Sequence, residues 1–260
     1  MTQKWDGTWY DYQGECDLVL LAASKQGSDW GNTFGKGLRI HVRTTLRYGY
    51  SFIEAVALLI GDSLMEVASW GQLFLDGISL DPQQDDLFTT AKAQFAGYPL
   101  TYHTDGRKTH AFVIQIDDHN NITLNTFKDF VNVHVHTNRL GGSVGLMGDF
   151  KTGQSLGRDG VTVLQDPDVF GQEWQVLDSE PKLFLVSRSP QLPHEKCRLP
   201  QNQTVAHKPL DMVDDLDSSF LRQAAEKACR EWAQQQNLEA CMLDVMVTGD
   251  LDVVQAGEAF

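Results

Sequence analysis

Short apolar segments recur about every ten residues through the first part of the chain, and turn-forming residues separate them. In the segment GLRIHVRTTL, Leu38, Ile40 and Val42 alternate with polar residues, as in a strand with one buried face. Helix is the alternative for residues 52–60, but their β-branched content and the Gly-Asp turn that follows favour a strand. Such spacing is typical of an antiparallel β-sandwich or barrel, and we predict one β-domain over residues 1–186.

The character of the sequence changes after this domain. Residues 187–213 are rich in proline, which predicts a linker. Within residues 214–260, the apolar side chains of SSFLRQAAEKACREW fall at helical spacing, and a second short helix restarts at Asn237 with Gly249 as its stop. We therefore predict a mainly β protein, in which an antiparallel β-sandwich is followed by a small α-helical appendage that contains cysteines.

The four cysteines predict two disulfides, because none of them belongs to a C-x-x-C pair of the kind that binds zinc. Cys229 and Cys241 fall on consecutive predicted helices joined by a polar turn, and an antiparallel helix pair brings them within bridging distance. This leaves Cys16, on an early strand, to pair with Cys197 at the exit of the β-domain. Disulfides are typical of an extracellular, secreted or cell-surface protein.

The charge balance narrows the classes of partner. The chain has 35 acidic and 21 basic residues, a formal net charge of -14, whereas nucleic-acid binding requires a basic footprint. No apolar run reaches the length of a membrane span, and the first residues do not read as a signal peptide, so we expect an extracellular chain to be part of a longer precursor. Two N-x-[ST] triplets make Asn121 and Asn202 candidate glycosylation sites, although such triplets also occur by chance.

The stretch from residue 140 to 176 combines a glycine-rich turn, a short apolar strand and a loop that carries carboxylates. The glycines of GGSVGLMG relax the backbone for tight turns and close approach. The carboxylates that follow are Asp149, Asp159, Asp166 and Asp168. Oxygen donors on glycine-bent backbone suit a hard cation such as Ca²⁺, but the spacing of an EF-hand is absent. A solvated acidic loop is the alternative interpretation.

Five segments, in their order along the chain, resemble the von Willebrand factor type D domain. They are WDGTWYDYQGECDLVLLAA, GLRIHVRT, SFIEAVALLIGD, GLMGDF in place of the family's G-L-C-G-N-F, and DPDVFGQEWQV in place of its F-G-x-x-W-x-V. The resemblance covers about residues 5–176. Residues 197–260 are more weakly similar to the cysteine-rich helical module that often follows this domain. The low cysteine content and acidic balance are similar to variants of the domain from marine single-celled eukaryotes such as diatoms.

The resemblance implies a calcium ion between the opening Asp-Gly turn and the residues after G-L-C-G. Carried over to this sequence, its side-chain ligands are Asp6, Asp149 and Asp159. Lys151 stands near a position where the family often has a second asparagine, so only a backbone carbonyl is available there. Met147 takes the place of a family cysteine, and the disulfide usual there is not expected. The family's self-cleaving Gly-Asp-Pro-His element and its C-G-x-C redox motif are not found, so neither activity is carried over.

The residues do not suggest a catalytic centre. No G-x-S-x-G elbow occurs, and Cys16 lies in an apolar strand, which is a poor setting for a reactive thiolate. His134 and His136 share one face of a predicted strand, as zinc or copper ligands do. No third ligand is identifiable, and a solvated polar face is the simpler interpretation.

We therefore expect a non-enzymatic, calcium-binding extracellular module that contacts protein or glycan partners in an adhesive or matrix setting. The alternative is a secreted oxidative enzyme of luciferase type, because the type D scaffold that this chain resembles is also used in a secreted luciferase of marine crustaceans. An enclosed apolar pocket with convergent polar groups would favour the enzyme. A filled sandwich core would favour the binding module.

Overall fold

The computed structural model describes residues 2–23, 36–47, 49–105, 108–188, 197–200, 216–232 and 238–257. Its strands are β1 (Thr2–Gln3), β2 (Trp9–Tyr10), β3 (Asp17–Ala23), β4 (Leu38–Arg47), β5 (Tyr50–Ile60), β6 (Ser63–Ala68), β7 (Gln72–Leu75), β8 (Ile78–Leu80), β9 (Gln94–Phe95), β10 (Tyr98–Thr104), β11 (Thr109–Asp117), β12 (Asn120–Phe127) and β13 (Phe130–His136). The described helices are α1 (Asp86–Thr89), α2 (Pro167–Glu173), α3 (Leu216–Trp232) and α4 (Leu238–Thr248). Single 3₁₀ segments span Ser69–Gly71 and Leu251–Gly257.

The strands form antiparallel sheets that confirm the predicted fold class. One sheet has six strands in the order β3-β4-β5-β6-β7-β8, and a second has five in the order β13-β12-β11-β10-β9. Neighbouring strands are also neighbours in the sequence, so each pair needs only a hairpin connection. A small sheet of β1 and β2 holds the opening turn of the chain. The β-domain is therefore a sandwich-like arrangement built by successive hairpins.

The main core lies between the two larger sheets. Strand alternation places Ile40, Val42 and Leu58 of the six-stranded sheet in the same apolar cluster as Phe112 and Leu124 of the five-stranded sheet. All of these side chains are buried. The alternation of residues in β4 therefore has the expected result. One face of the strand lies in the main core, and the other face is available for a second layer.

Residues 177–188 form that second layer on the outer face of the six-stranded sheet. Leu183 and Phe184 pack on Ala55 and Ala57, which project from β5 away from the main core. The backbone N–H of Leu185 donates to Oε2 of Glu66 at 2.9 Å. Because small alanines line this face, an irregular segment lies close against the sheet and buries it.

The helical appendage is a hairpin with its own small core. Ala225 and Cys229 of α3 pack with Met242 and Val245 of α4. The second helix ends at Thr248, directly before Gly249, whose φ of 66° is the left-handed conformation of a helix stop. This confirms the predicted second helix and its glycine. Within the described ranges, no helix is long and apolar enough to cross a membrane.

The appendage docks on the β-domain through its last 3₁₀ segment. Val253 packs with Phe127 and Phe130 at the turn between β12 and β13. Nζ of Lys108 lies 2.7 Å from Oδ2 of Asp252, and a second ion pair joins Lys128 to Asp250. These contacts place the helices beside the five-stranded sheet. Most of the predicted linker over residues 187–213 lies outside the described residues.

Both disulfides follow the predicted pairing. Cys16 bonds to Cys197 across a sequence separation of 181 residues, and Cys229 bonds to Cys241 across 12. The first bridge is buried, and a backbone bridge between Glu15 and Arg198 lies beside it. The disulfide therefore holds the chain that leaves the β-domain next to the first residues of β3.

One local prediction is wrong. The segment with Asp166 and Asp168 was predicted as part of a carboxylate loop, but it forms α2. Oδ1 of Asp166 accepts the backbone N–H groups of Asp168 at 2.8 Å and Val169 at 3.1 Å, and Pro167 follows in the first helical position. Asp166 is thus the helix N-cap, a structural role that uses its carboxylate locally.

Candidate cation site at the opening turn

The glycine-rich stretch runs along the free edge of β3 and positions the loop that follows it. Ala22 and Val144 exchange two backbone hydrogen bonds of 2.7 and 2.9 Å. The N–H of Leu146 donates to the carbonyl oxygen of Val19 at 3.1 Å, and that of Met147 donates to the carbonyl oxygen of Leu20 at 3.2 Å. These bonds cover the edge of the six-stranded sheet and place the turn with Asp149 directly after the segment that lies beside β3.

The opening turn packs against this loop. The Trp5 N–H donates to the carbonyl oxygen of Met147 at 3.3 Å, and the rings of Trp5 and Phe150 meet edge to face at 5.0 Å. Gly153 lies directly against Asp6, because a Cβ at that glycine would come within 2.6 Å of Oδ2 of the aspartate. The structure therefore brings Asp6 to the turn that follows Asp149.

In both Asp6 and Asp149, Oδ1 accepts the local hydrogen bonds. Oδ1 of Asp6 accepts from the backbone N–H of Thr8 at 2.9 Å and from its hydroxyl at 2.6 Å. Oδ1 of Asp149 accepts from the backbone N–H groups of Lys151 at 3.2 Å and Thr152 at 2.9 Å, and from the Thr152 hydroxyl at 2.8 Å. The hydrogen bond from Thr8 lowers the pKa of Asp6, so this carboxylate is anionic at neutral pH. Both groups are held in Asx turns.

Lys151 contributes to this corner through its backbone. Its N–H helps to orient Asp149, and the side chain is exposed. An ammonium group is a donor without lone pairs and is no metal ligand, so a backbone carbonyl ligand at this position stays a prediction.

Asp159 lies in a separate turn. Its Oδ1 accepts from the backbone N–H groups of Val161 and Thr162, each at 2.9 Å, and its Oδ2 accepts from the Thr162 hydroxyl at 2.5 Å. These hydrogen bonds lower the pKa of Asp159 to about 2. Within the described ranges, no three or more His, Cys, Asp or Glu side chains come together in a group that could hold a metal ion. Asp6 and the Asp149 turn are neighbours, but the structure does not gather all three predicted ligands.

The two histidines of β13 do not form a metal site in the described part of the chain. His134 is half-buried, its burial lowers its pKa, and its Nε2 has no hydrogen-bond partner there. His136 is exposed. The interpretation of a solvated face therefore holds for His136 and only in part for His134. Asn121, the first sequon, lies half-buried at the start of β12, and Asn202 lies outside the described residues.

His41 is a buried titratable group that the sequence analysis missed. It lies on the outer face of β4, under the layer of residues 177–188, and it is fully buried. Neither ring nitrogen has a hydrogen-bond partner among the described residues. Burial lowers its pKa to about 3, and the positive charge of Arg39 contributes in the same direction. The alternation of β4 predicts that a polar residue at this position is exposed. His41 is buried because residues 177–188, which are distant in sequence, cover this face of the sheet.

We expect this histidine to make the fold sensitive to acid. The pKa of an unfolded His is 6.5, so above that pH both states are neutral and the full stability is present. Between pH 6.5 and about 3 the unfolded state binds a proton that the folded state does not, which costs about 2 kcal/mol at pH 5. Urea unfolding at pH 7 and pH 5 measures this loss. His41→Leu should reduce it by about 2 kcal/mol, and an unchanged pH dependence would contradict this role of His41.

No protein-family model matches the chain, and no curated protein matches it. The resemblance to the von Willebrand type D domain therefore stays a hypothesis that depends on the sequence segments quoted above. In the structure, the acidic opening turn packs against a second acidic turn beside β3.

Proposed function

We propose that the chain is a non-enzymatic extracellular interaction module that contacts protein or glycan partners in an adhesive or matrix setting. The observation that supports this most is the complete pairing of its four cysteines. Disulfides persist in oxidising compartments and are rare in the cytosol. The bridge from Cys16 to Cys197 ties the end of the β-domain to its start, which gives a secreted module resistance to unfolding.

Calcium is part of the proposal, with Asp6 and Asp149 as the carboxylate ligands. Two observations support this choice: the turns that carry them are in contact, and the hydrogen bonds described above occupy only Oδ1 of each carboxylate. Oδ2 of Asp6 lies 3.9 Å from Nζ of Lys4, and a cation would compete with this ion pair. Ca²⁺ takes six to eight oxygens with loose geometry, and backbone carbonyls and water supply the rest. A cation here would join the opening turn to the loop beside β3.

Calcium is expected to raise the thermal stability of the chain. A ligand that binds only the folded state at 100 times its Kd adds about 2.7 kcal/mol. Thermal melts in CaCl₂ and in EDTA measure the shift. Asp6→Asn and Asp149→Asn should each reduce it, whereas the matched Asp159→Asn variant should keep it, because the structure holds Asp159 in its own turn. Identical melts with calcium and chelator would contradict the site.

The function is tested by binding. The chain, produced through a secretory pathway and labelled with a fluorophore, is titrated onto decellularised extracellular matrix in calcium-containing buffer. We expect saturable binding and, by peptide mapping, the two disulfides of the structure. Binding that does not saturate would contradict the interaction module, and four free thiols in the secreted product would contradict the extracellular assignment.

A further inference from the structure

Three hairpin turns meet at one end of the sandwich, and a single carboxylate connects them. Oδ1 of Asp129, in the turn between β12 and β13, accepts the indole N–H of Trp70 at 2.7 Å. Its Oδ2 lies 2.5 Å from Nη1 of Arg47, at the end of β4. The backbone N–H of Trp70 donates to the carbonyl oxygen of Lys128 at 2.7 Å. We call these four residues the Trp70 corner.

Trp70 is an exposed aromatic side chain in a strained backbone conformation. Its φ is 62°, in the left-handed region, which costs an L-residue about 1–2 kcal/mol. Its side chain is 51% exposed, so core packing does not repay this cost. Both of its N–H groups are fixed by hydrogen bonds, so the indole is oriented before any partner arrives. Strain that the surroundings maintain at an exposed, oriented ring points to a function at that ring.

The charges of the corner are balanced, which restricts the chemistry of a ligand. Arg47 is paired with Asp129, and Lys128 is paired with Asp250 of the docked appendage. A cationic ligand on the indole would need a carboxylate that is not already neutralised, and an anionic ligand would need an unpaired cation. The arrangement favours a neutral ligand with one apolar face and a polar edge.

We infer that the Trp70 corner binds a neutral carbohydrate. The C–H face of a sugar ring would lie on the indole, and its hydroxyls would hydrogen-bond to the Arg47 guanidinium and the Asp129 carboxylate, which stand beside the ring. An oriented indole loses little conformational entropy on binding, and that favours even a small ligand. The inference rests on the proposed interaction function and names the ligand class and site through which it acts.

The test uses the full chain on a printed array of neutral oligosaccharides, namely glucan, mannan, galactan and chitin fragments. Trp70→Gly is the informative variant, because glycine accepts the positive φ without strain and the fold is therefore retained. Trp9→Ala is the matched control, since Trp9 is also exposed, at 39%, and lies outside the corner. We expect the unmodified chain to bind at least one oligosaccharide class, Trp70→Gly to bind it at least tenfold more weakly, and Trp9→Ala to bind it as the unmodified chain does.

Two results would overturn the inference. One is an array without binding by the unmodified chain, and the other is equal binding by the Trp70→Gly variant in its folded form, as checked by near-ultraviolet circular dichroism. If the chain still binds matrix saturably, and Trp70→Gly removes that binding although no oligosaccharide is bound, the corner is a protein contact. The carbohydrate site would then be wrong while the proposed function stands. Loss of saturable matrix binding by the unmodified chain would instead remove the proposed function.

Discussion

Replacing Cys16 and Cys197 together by alanine is expected to lower the free energy of unfolding by about 5 kcal/mol in the chain-entropy account of disulfides. The bridge spans a sequence separation of 181 residues, so its loss frees nearly the whole β-domain in the unfolded state. Both cysteines are buried in the main core, and their truncation removes packing as well. Urea unfolding of the double variant, compared with the unmodified chain at the same pH, measures the change.

The second disulfide supplies the control for this prediction. Replacing Cys229 and Cys241 together should cost less, about 3 kcal/mol, because that bridge closes a separation of only 12 residues. The two double variants have the same number of substituted sulfurs and differ in the length of chain that is released. A smaller loss from the Cys16–Cys197 variant would show that chain entropy does not govern stability here.

The Gly145→Ala variant is expected to lose about 3–4 kcal/mol of unfolding free energy, from backbone strain and a steric clash together. Its φ of 130° falls in a region that only glycine adopts readily. A Cβ at this position would lie 2.5 Å from the carbonyl oxygen of Leu20, which is backbone in the middle of β3 and has little freedom to move. The substitution therefore pushes the whole stretch away from the sheet edge and breaks the hydrogen bonds of Val144 and Leu146.

The Gly160→Ala variant measures the cost of backbone strain without a steric clash, and it therefore serves as the control for Gly145→Ala. This glycine also has a positive φ, of 70°, but a Cβ there would meet nothing within 4 Å. It should cost only the left-handed preference, about 1 kcal/mol. Urea unfolding of both variants gives the comparison, and equal losses would show that the edge of β3 yields to the added methyl group.

The sequence predicted most of the sandwich because its strands obey a local rule. In β4, alternation of apolar and polar residues reports directly which face is buried, and the Gly61 turn marks where β5 ends. The disulfides were predictable for a similar reason. Two helices with a short connection have few arrangements, and the pairing of Cys229 with Cys241 leaves only one partner for Cys16.

The parts that failed depend on contacts that are distant in sequence or on competition between local rules. Asp166 was interpreted together with its neighbours as part of a carboxylate loop, yet it accepts the backbone N–H groups of Asp168 and Val169. Asp166 and Pro167 already had the signature of a helix start, which the surrounding glycines obscured. The left-handed backbone of Trp70 has no local signal, because hydrogen bonds to Lys128 and Asp129 on another hairpin maintain it.

The buried bridge near the start of the β-domain also determines how the chain would respond to tension. A force between the opening turn and the helical appendage passes through the Cys16–Cys197 bond, so residues 17–196 carry no load while that bond is intact. At about 3.3–3.6 Å per extended residue, the intact disulfide prevents roughly 600 Å of contour length from being extended by a pulling force. Single-molecule pulling should release that length only after a reductant is added. The sandwich would therefore stay folded under a force that stretches the chain before Cys16 and after Cys197.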